Sequence, residues 1–113
     1  MLEQEGKLLR VFVGENDRQE GLPVYEWLVQ QAHRRRMAGV TVMHGSEGYG
    51  ARSQLHTTRV LRLSVDLPIV VEIIDTREKI EDFLALLDQV LTGGVAVVQD
   101  AQVRFYGPNS PAT

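Results

Sequence analysis

Apolar and polar residues alternate in several short segments of the chain, the pattern of half-buried strands. The predicted strands are Lys7–Gly14, Val40–Met43, Val60–Val65, Ile69–Ile74, Val95–Val98 and Val103–Tyr106. The last two are separated by the polar run 99–102, which predicts an interruption. Ile69–Ile74 is the strongest strand prediction, because it consists almost entirely of β-branched residues.

Two segments carry apolar residues at helical spacing instead. The first begins near Pro23, a residue tolerated in a first helical turn, and Gly39 is its predicted C-terminal cap, for a helix of about four turns. The second begins at Asp75 or Thr76, either of which suits an N-cap, and it is predicted to stop at the Gly93–Gly94 pair. The polar run 15–21 between the first strand and the first helix predicts a loop.

The predicted order is βαββαβ, with further strand residues around 60–65 and near the end. This order is typical of the α+β ferredoxin-like sandwich, in which two helices cover one face of a four-stranded antiparallel sheet. The first and third strands are then central, and the face away from the helices should be polar if it is solvated. It is apolar instead, at Leu8, Phe12, Val70 and Ile74. We therefore expect another subunit of a homo-oligomer to cover it.

Composition sets the limits on function. The 113 residues suit one domain, predicted at 7–106 with tails at 1–6 and 107–113. Twelve basic residues against 15 acidic ones give a net charge of −3, which is not the electrostatic footprint of a nucleic-acid-binding protein. The lack of cysteine excludes disulfides, thiolate metal sites and thiol catalysis, and no apolar run approaches the length of a membrane span. Cytoplasmic localisation is the expectation.

Residues 43–56 form a segment that is unusually rich in glycine. Its G-x-x-G-x-G spacing (Gly45, Gly48, Gly50) reverses the dinucleotide-binding fingerprint and lacks the lysine of a phosphate-binding P-loop. Two readings remain. The segment could form a backbone nest for an anion, assisted by Arg52 or Arg59, or its glycines could simply permit the turns of a mobile hairpin.

Other classes of site find little support in the sequence. His44 and His56 flank the glycine segment and could converge on a metal, but no third ligand is evident, and His33 is predicted on a helix surface. No catalytic constellation is found, which favours a protein that is not an enzyme. The βαββαβ order also occurs in RNA-recognition domains, but the strand Ile69–Ile74 has no stacking aromatic and no basic residue, so we expect no nucleic-acid partner.

Several motifs resemble one family in order and spacing. They are Val11–Glu15, Gly21–Glu26, Ala38–Val42, His44–Gly50, Asp66–Asp75 and the glycine pair that precedes the last strands. The resemblance covers about residues 7–106 and is to the family called domain of unknown function 190, which is PII-like. It implies a homotrimer related to the PII signalling proteins, with a small-molecule effector bound in clefts between subunits.

The same resemblance implies how such a protein would act. The loop 44–59 would change conformation with the effector and contact a partner, for which a membrane transporter is one candidate. The effector would be a small anion, with an adenine nucleotide as a candidate and no defined cofactor. Its predicted contacts are Gly45, Glu47, Gly48, Gly50, Arg52, Arg59, Gly93, Gly94 and Arg104. The alternatives are a partner-binding protein without ligand, or a divalent-metal-binding trimer like CutA that uses His44 and His56.

Overall fold

The computed structural model describes residues 2–46 and 67–107. The elements within these ranges are β1 (Leu2–Gly14), β2 (Arg18–Gln19), β3 (Leu22–Pro23), α1 (Val24–Arg34), β4 (Gly39–His44), β5 (Pro68–Thr76), α2 (Arg77–Val90) and β6 (Val95–Phe105). Apart from the small β2–β3 hairpin, this is the predicted βαββαβ order. The strand predicted at 60–65 lies outside the described residues.

The four long strands form one antiparallel sheet in the order β4-β5-β1-β6. The first strand of the chain and the third long strand, β5, are therefore central, as predicted for the ferredoxin-like sandwich. Helix α1 contacts β1, β4 and β5, and α2 contacts β1 and β5. Strand β6 therefore forms an edge of the sheet beyond the helices.

The hydrophobic core lies between the helices and the inward-facing residues of the central strands. These strand residues alternate as predicted and are 5% exposed or less: Leu9, Val11, Val13, Ile69, Val71 and Ile73. Trp27 and Leu28 from α1 and Ile80 and Phe83 from α2 pack against them. Each such side chain contributes about 1.5–3 kcal/mol by leaving water, so this layer accounts for most of the stabilisation of the fold.

The end of α1 differs from the prediction that Gly39 caps it. The helix has 11 residues, three turns rather than four, and ends at Arg34. Arg36 adopts the left-handed conformation (φ 55°), while the N–H groups of Arg36 and Met37 donate to carbonyl groups of the last turn. A non-glycine residue thus makes the turn, and Gly39 begins β4.

For α2 the structure selects one of the two predicted caps. The hydroxyl of Thr76 accepts a hydrogen bond from the backbone N–H of Lys79 at 3.4 Å. Asp75 is 2% exposed and accepts from the N–H groups of Ala38 and Thr76 instead. The helix ends at Val90, before the glycine pair that was predicted to stop it.

Strands β1 and β6 are both longer than predicted. Strand β1 begins at Leu2, and residues 2–6 pair with 101–105 of β6. Strand β6 continues through 99–102, so the predicted interruption there is wrong. Two of its polar side chains are hydrogen-bonded across the strands: Gln99 accepts from Arg10 and Asp100 accepts from Lys7.

Candidate functional site

Three connections meet at one end of the sheet, where β1 and β4 end and β5 and β6 begin. The first is the end of β4, from which the glycine segment departs. The N–H of Gly45 donates to the carbonyl oxygen of Pro68 at 2.8 Å, and a Cβ on Gly45 would lie 2.7 Å from Cγ of that proline. Gly45 is thus required for a close approach, and its N–H is already used inside the protein rather than offered to an anion.

His44 lies on the helix-covered side of β4. Its ring meets the ring of Tyr25 on α1 edge-to-face, with the centroids 5.5 Å apart. Over residues 2–46 and 67–107 no group of three or more potential metal-ligating side chains comes together. The other histidine of the metal hypothesis, His56, lies outside those ranges, so a structural aromatic contact is the role that the structure gives to His44.

The second connection is the loop from Leu91 to Gly94, between α2 and β6. Gly94 has φ +99°, and a Cβ on it would lie 2.8 Å from the carbonyl oxygen of Phe12. Only glycine can hold this conformation at this distance from the central strand. The loop is therefore drawn tightly over the end of the sheet.

An open groove of about 350 Å³ runs from this loop along the helix side of β6. Most of the side chains that line it are apolar, including Leu84 of α2, Leu91 of the loop and Ala96 of β6, and Asp88 and Thr92 are the polar ones. The volume lies in the range of about 300–1,000 Å³ that is common for small-molecule sites. The groove exists because the two helices leave the edge strand β6 uncovered.

The third connection, between β1 and α1, is more ordered than the predicted loop. Strands β2 and β3 pair through a two-residue turn at Glu20 and Gly21, which have φ 51° and 81°. Positive φ at both positions is the geometry of the tight type I′ hairpin turn. Sequence reasoning missed this hairpin; the Glu-Gly pair, close to the Asp-Gly signature of such turns, was the available signal.

The hairpin brings charged side chains to the loop 91–94 between α2 and β6, which we call the glycine loop. Asp17, Arg18 and Gln19 line a small cavity of about 50 Å³ together with Leu91, Thr92 and Gly93. None of these three hairpin side chains was among the predicted effector contacts. The α2–β6 loop therefore forms a wall of both the polar cavity and the apolar groove.

The predicted effector residues are distributed unevenly around this end of the sheet. Gly93 and Gly94 lie at the β6 edge, and Gly45 lies at the β4 edge, about 14 Å away across three strand spacings. Arg104 is ten residues along β6, about 33 Å from Gly94, at the opposite end of the sheet. Within one protomer the structure therefore does not bring Arg104 to the glycine loop. Glu47, Gly48, Gly50, Arg52 and Arg59 lie outside the described residues.

The sheet face away from the helices is the second candidate surface. Phe12 is 39% exposed, Met43 43% and Val97 41%, while Leu8, Val70 and Ile74 are half-buried. Arg10 and Glu72 pair at its centre, with Arg10 Nε 2.9 Å from Glu72 Oε2. Exposed apolar side chains that lie together on one face are typical of a surface that contacts another molecule.

A charged cleft lies at the opposite end of the sheet, by the start of α2. Lys7 Nζ is 2.7 Å from Asp100 Oδ1, and Arg77 Nε is 2.7 Å from Glu81 Oε1. The hydrogen bond from Lys7 lowers the pKa of Asp100, and the ammonium charge lowers it further. The hydrogen bond to Glu81 raises the pKa of Arg77. The charges of this cleft thus largely neutralise one another.

Comparison of the sequence with known families gives a match over residues 6–103, to the family described as "DUF190: Uncharacterized ACR, COG1993". The chain belongs to the DUF190 family. A UPF0166 protein of Aquifex aeolicus is 37% identical over 99 residues, covering 88% of this chain and 93% of the relative. A UPF0166 protein of Methanocaldococcus jannaschii is 32% identical over 100 residues, covering 88% of this chain and 92% of the relative.

The fold of this chain is similar to those of several solved structures. A PII-like signaling protein from Thermus thermophilus superposes with a TM-score of 0.64 at 18% identity, covering 91% of this chain and 93% of that one. A PII-like protein from Thiomonas intermedia, bound to ADP and bicarbonate, has a TM-score of 0.57 at 19% identity, covering 90% of this chain and 91% of that one. The fold of this DUF190 chain is PII-like. No helix in the described parts of the chain has the length and hydropathy of a membrane-spanning segment.

Proposed function

We propose that this DUF190 protein is a PII-like regulator that binds a small anionic effector, with an adenine nucleotide as the leading candidate. The observation that carries the proposal is the convergence of the Gly93–Gly94 loop, an apolar groove and a polar cavity at one end of the sheet. The loop 44–59 leaves the sheet at this same end, so an effector bound there would lie near its base. The ADP bound to the PII-like protein of the same fold supports the choice of nucleotide.

Binding can be measured by calorimetry on the purified protein. AMP, ADP, ATP and their guanine counterparts would be titrated at concentrations up to the millimolar range, with and without bicarbonate. We expect saturable binding of at least one adenine nucleotide. Failure of every nucleotide to bind in this range would refute the effector part of the proposal.

The proposed assembly is a homotrimer, in the cytoplasm, with the exposed sheet face turned toward the other subunits. Leu8, Phe12, Val70 and Ile74 would be covered there, which explains why central strands are apolar on both sides. The trimer also supplies the intersubunit clefts, since Gly45 and Gly94 lie at opposite edges of one sheet and would each meet a neighbour.

Light scattering on the wild type and on Phe12→Glu tests this assembly. We expect a trimer mass for the wild type and a shift toward monomer for the variant, because a carboxylate on this face would have to be desolvated in the assembly. Ala85→Glu, on the exposed side of α2, is the matched control and should leave the mass unchanged. A monomeric wild type would contradict the proposed use of the face.

Signalling through the loop 44–59 would be tested by deleting residues 47–58 and replacing them with a short Gly-Ser linker. Effector binding that persists while capture of a protein partner is lost would assign the loop to signalling. Capture that is independent of any nucleotide would favour a partner-binding protein without ligand, for which a membrane transporter is the candidate partner.

A further inference from the structure

The hairpin β2–β3 is held rigidly against the body of the protein. The indole Nε1 of Trp27, which is 3% exposed, donates to the Glu20 carboxylate at the hairpin turn. At the base of the hairpin, Asp17 Oδ2 accepts from the N–H of Gly14 at 2.8 Å, and the carbonyl of Asp17 accepts from the N–H of Val24 at 2.7 Å. The backbone of this hairpin is therefore anchored to the body of the protein at its turn and at its base.

Arg18 is the cation that this hairpin presents to the small cavity beside Thr92 and Gly93. Its Nη2 donates to the carbonyl oxygen of Gly21 at 3.3 Å, a contact that orients the guanidinium. Residues 2–46 and 67–107 contain no ion pair of Arg18 with a carboxylate. Asp17 also lines the cavity, but its carboxylate is turned to the backbone N–H of Gly14.

The polar cavity and the apolar groove adjoin, because both are lined by Leu91, Thr92 and Gly93. A ligand that spans them needs an apolar, ring-like part for the groove and an anionic part for Arg18. Asp88 is the carboxylate on the groove side, and it disfavours a second anionic group there. A nucleoside phosphate has this distribution of apolar and anionic parts.

We propose that Arg18 binds the phosphate of a nucleoside phosphate whose base lies in the groove beside Ala96. This inference rests on the proposed function and adds to it a specific phosphate-binding residue and an orientation of the ligand. A guanidinium is suited to the task, since it offers several donors in a planar fork that matches phosphate oxygens.

Two substitutions separate the two halves of this site. Arg18→Gln removes the charge but keeps a donor for Gly21, and Ala96→Leu fills part of the groove while leaving the cavity intact. Each variant and the wild type would be titrated with ADP, adenosine and inorganic pyrophosphate, with circular dichroism as the check on folding. Arg34→Gln is the control for Arg18, because it removes the same charge at the far end of α1, about 15 Å along the helix.

The expected result is a crossed pattern. Arg18→Gln weakens the binding of ADP and pyrophosphate about tenfold or more and leaves the affinity for adenosine unchanged, as expected for loss of a charge-assisted contact. Ala96→Leu weakens the binding of ADP and adenosine and leaves the affinity for pyrophosphate unchanged. A further variant, Arg18→Lys, keeps the charge and should retain part of the ADP affinity.

Three results would overturn the inference. Unchanged ADP affinity in Arg18→Gln, while the wild type binds ADP, removes Arg18 from the site and leaves the proposed function standing. Equal losses in Arg18→Gln and Arg34→Gln mean that only net charge matters. If the wild type binds no nucleotide, the proposed function fails and this inference fails with it.

Discussion

Arg10 and Glu72 lie directly opposite each other on the two central strands, and Arg10 Nε donates to Glu72 Oε2 at 2.9 Å. Arg10 Nη1 also donates to Gln99 Oε1 at 2.7 Å, so one guanidinium links three strands. The pair is surrounded by the apolar side chains that we propose as the subunit interface. Its energetic value therefore depends on whether the face is covered. A solvated ion pair contributes about 1 kcal/mol or less, whereas breaking a buried pair costs about 3–5 kcal/mol.

We expect Glu72→Leu to destabilise the assembled protein by about 3 kcal/mol, because it leaves the Arg10 charge without its carboxylate in a dry interface. The double variant Arg10→Leu/Glu72→Leu should recover most of this loss, since no unpaired charge then remains. Urea denaturation at a fixed protein concentration gives the free energies of unfolding, and light scattering gives the assembly state.

The exposed pair Arg77–Glu81 on α2 is the reference for this comparison. Arg77→Gln should lower the free energy of unfolding far less than Glu72→Leu, because an i,i+4 pair on an exposed helix surface is screened by solvent. If Glu72→Leu costs no more than Arg77→Gln, the sheet face is solvated and the proposed interface is wrong.

Much of this fold could be predicted because its core strands and helices have strong local patterns. Leu9, Val11 and Val13 alternate with the period of a strand, and the apolar stripe of α2 has the period of a helix. Gln99 and Asp100 were misread because their partners, Arg10 and Lys7, are about 90 positions away in the sequence. A polar run that is satisfied across strands looks like a loop until the strand pairing is known.

The candidate site was harder to predict than the fold. The glycine pair at 93–94 was selected correctly as a loop, but the hairpin that packs beside it depends on Trp27 anchoring Glu20, a contact that no periodicity reveals. Arg104 was grouped with the glycines by its charge, and the length of β6 places it at the other end of the sheet within one protomer, so its role in a cleft between subunits stays a prediction. Spacing along the chain does not show which end of a strand a side chain occupies.

Asp75 provides a second test, this time of the fold. Its buried carboxylate accepts from the N–H groups of Ala38 at 2.8 Å and Thr76 at 2.6 Å, and it thereby joins the turn after α1 to the start of α2. Asp75→Ala leaves both donors without their acceptor, so we expect a loss of about 3 kcal/mol in the free energy of unfolding. Asp75→Asn should cost less, because its amide oxygen can still accept from one donor.

Asp82→Ala is the control for Asp75, since it removes a carboxylate from the exposed side of the following helix. It should change the free energy of unfolding by no more than about 0.5 kcal/mol. Equal effects of Asp75→Ala and Asp82→Ala in urea denaturation would show that the Asp75 hydrogen bonds are not formed in solution.

The ion pair between Lys7 and Asp100 predicts a pH effect. The hydrogen bond and charge of Lys7 lower the pKa of Asp100 below its ordinary value. A carboxyl group whose pKa is lowered by folding stabilises the protein above its unfolded pKa, and that contribution disappears as the pH falls through the folded pKa. Lys7→Met should return the Asp100 pKa toward its ordinary value, as measured by carbon-detected NMR titration of the carboxyl group. An Asp100 pKa that does not rise in Lys7→Met would contradict the pairing.

Gly94 and Gly39 give a matched pair of substitutions that tests the glycine loop. Gly94 has φ +99°, and an added Cβ would lie 2.8 Å from the carbonyl oxygen of Phe12, whereas nothing lies within 4 Å of a Cβ on Gly39, for which no positive φ occurs. Gly94→Ala should therefore destabilise the protein by about 2 kcal/mol through backbone strain, and Gly39→Ala should be neutral or stabilise it by about 0.5 kcal/mol. Urea denaturation of both variants measures the difference.

Because the loop borders both the groove and the Arg18 cavity, Gly94→Ala should also weaken nucleotide binding while Gly39→Ala leaves it intact. Equal stability of the two variants would mean that the loop is not drawn over the sheet end as the structure shows.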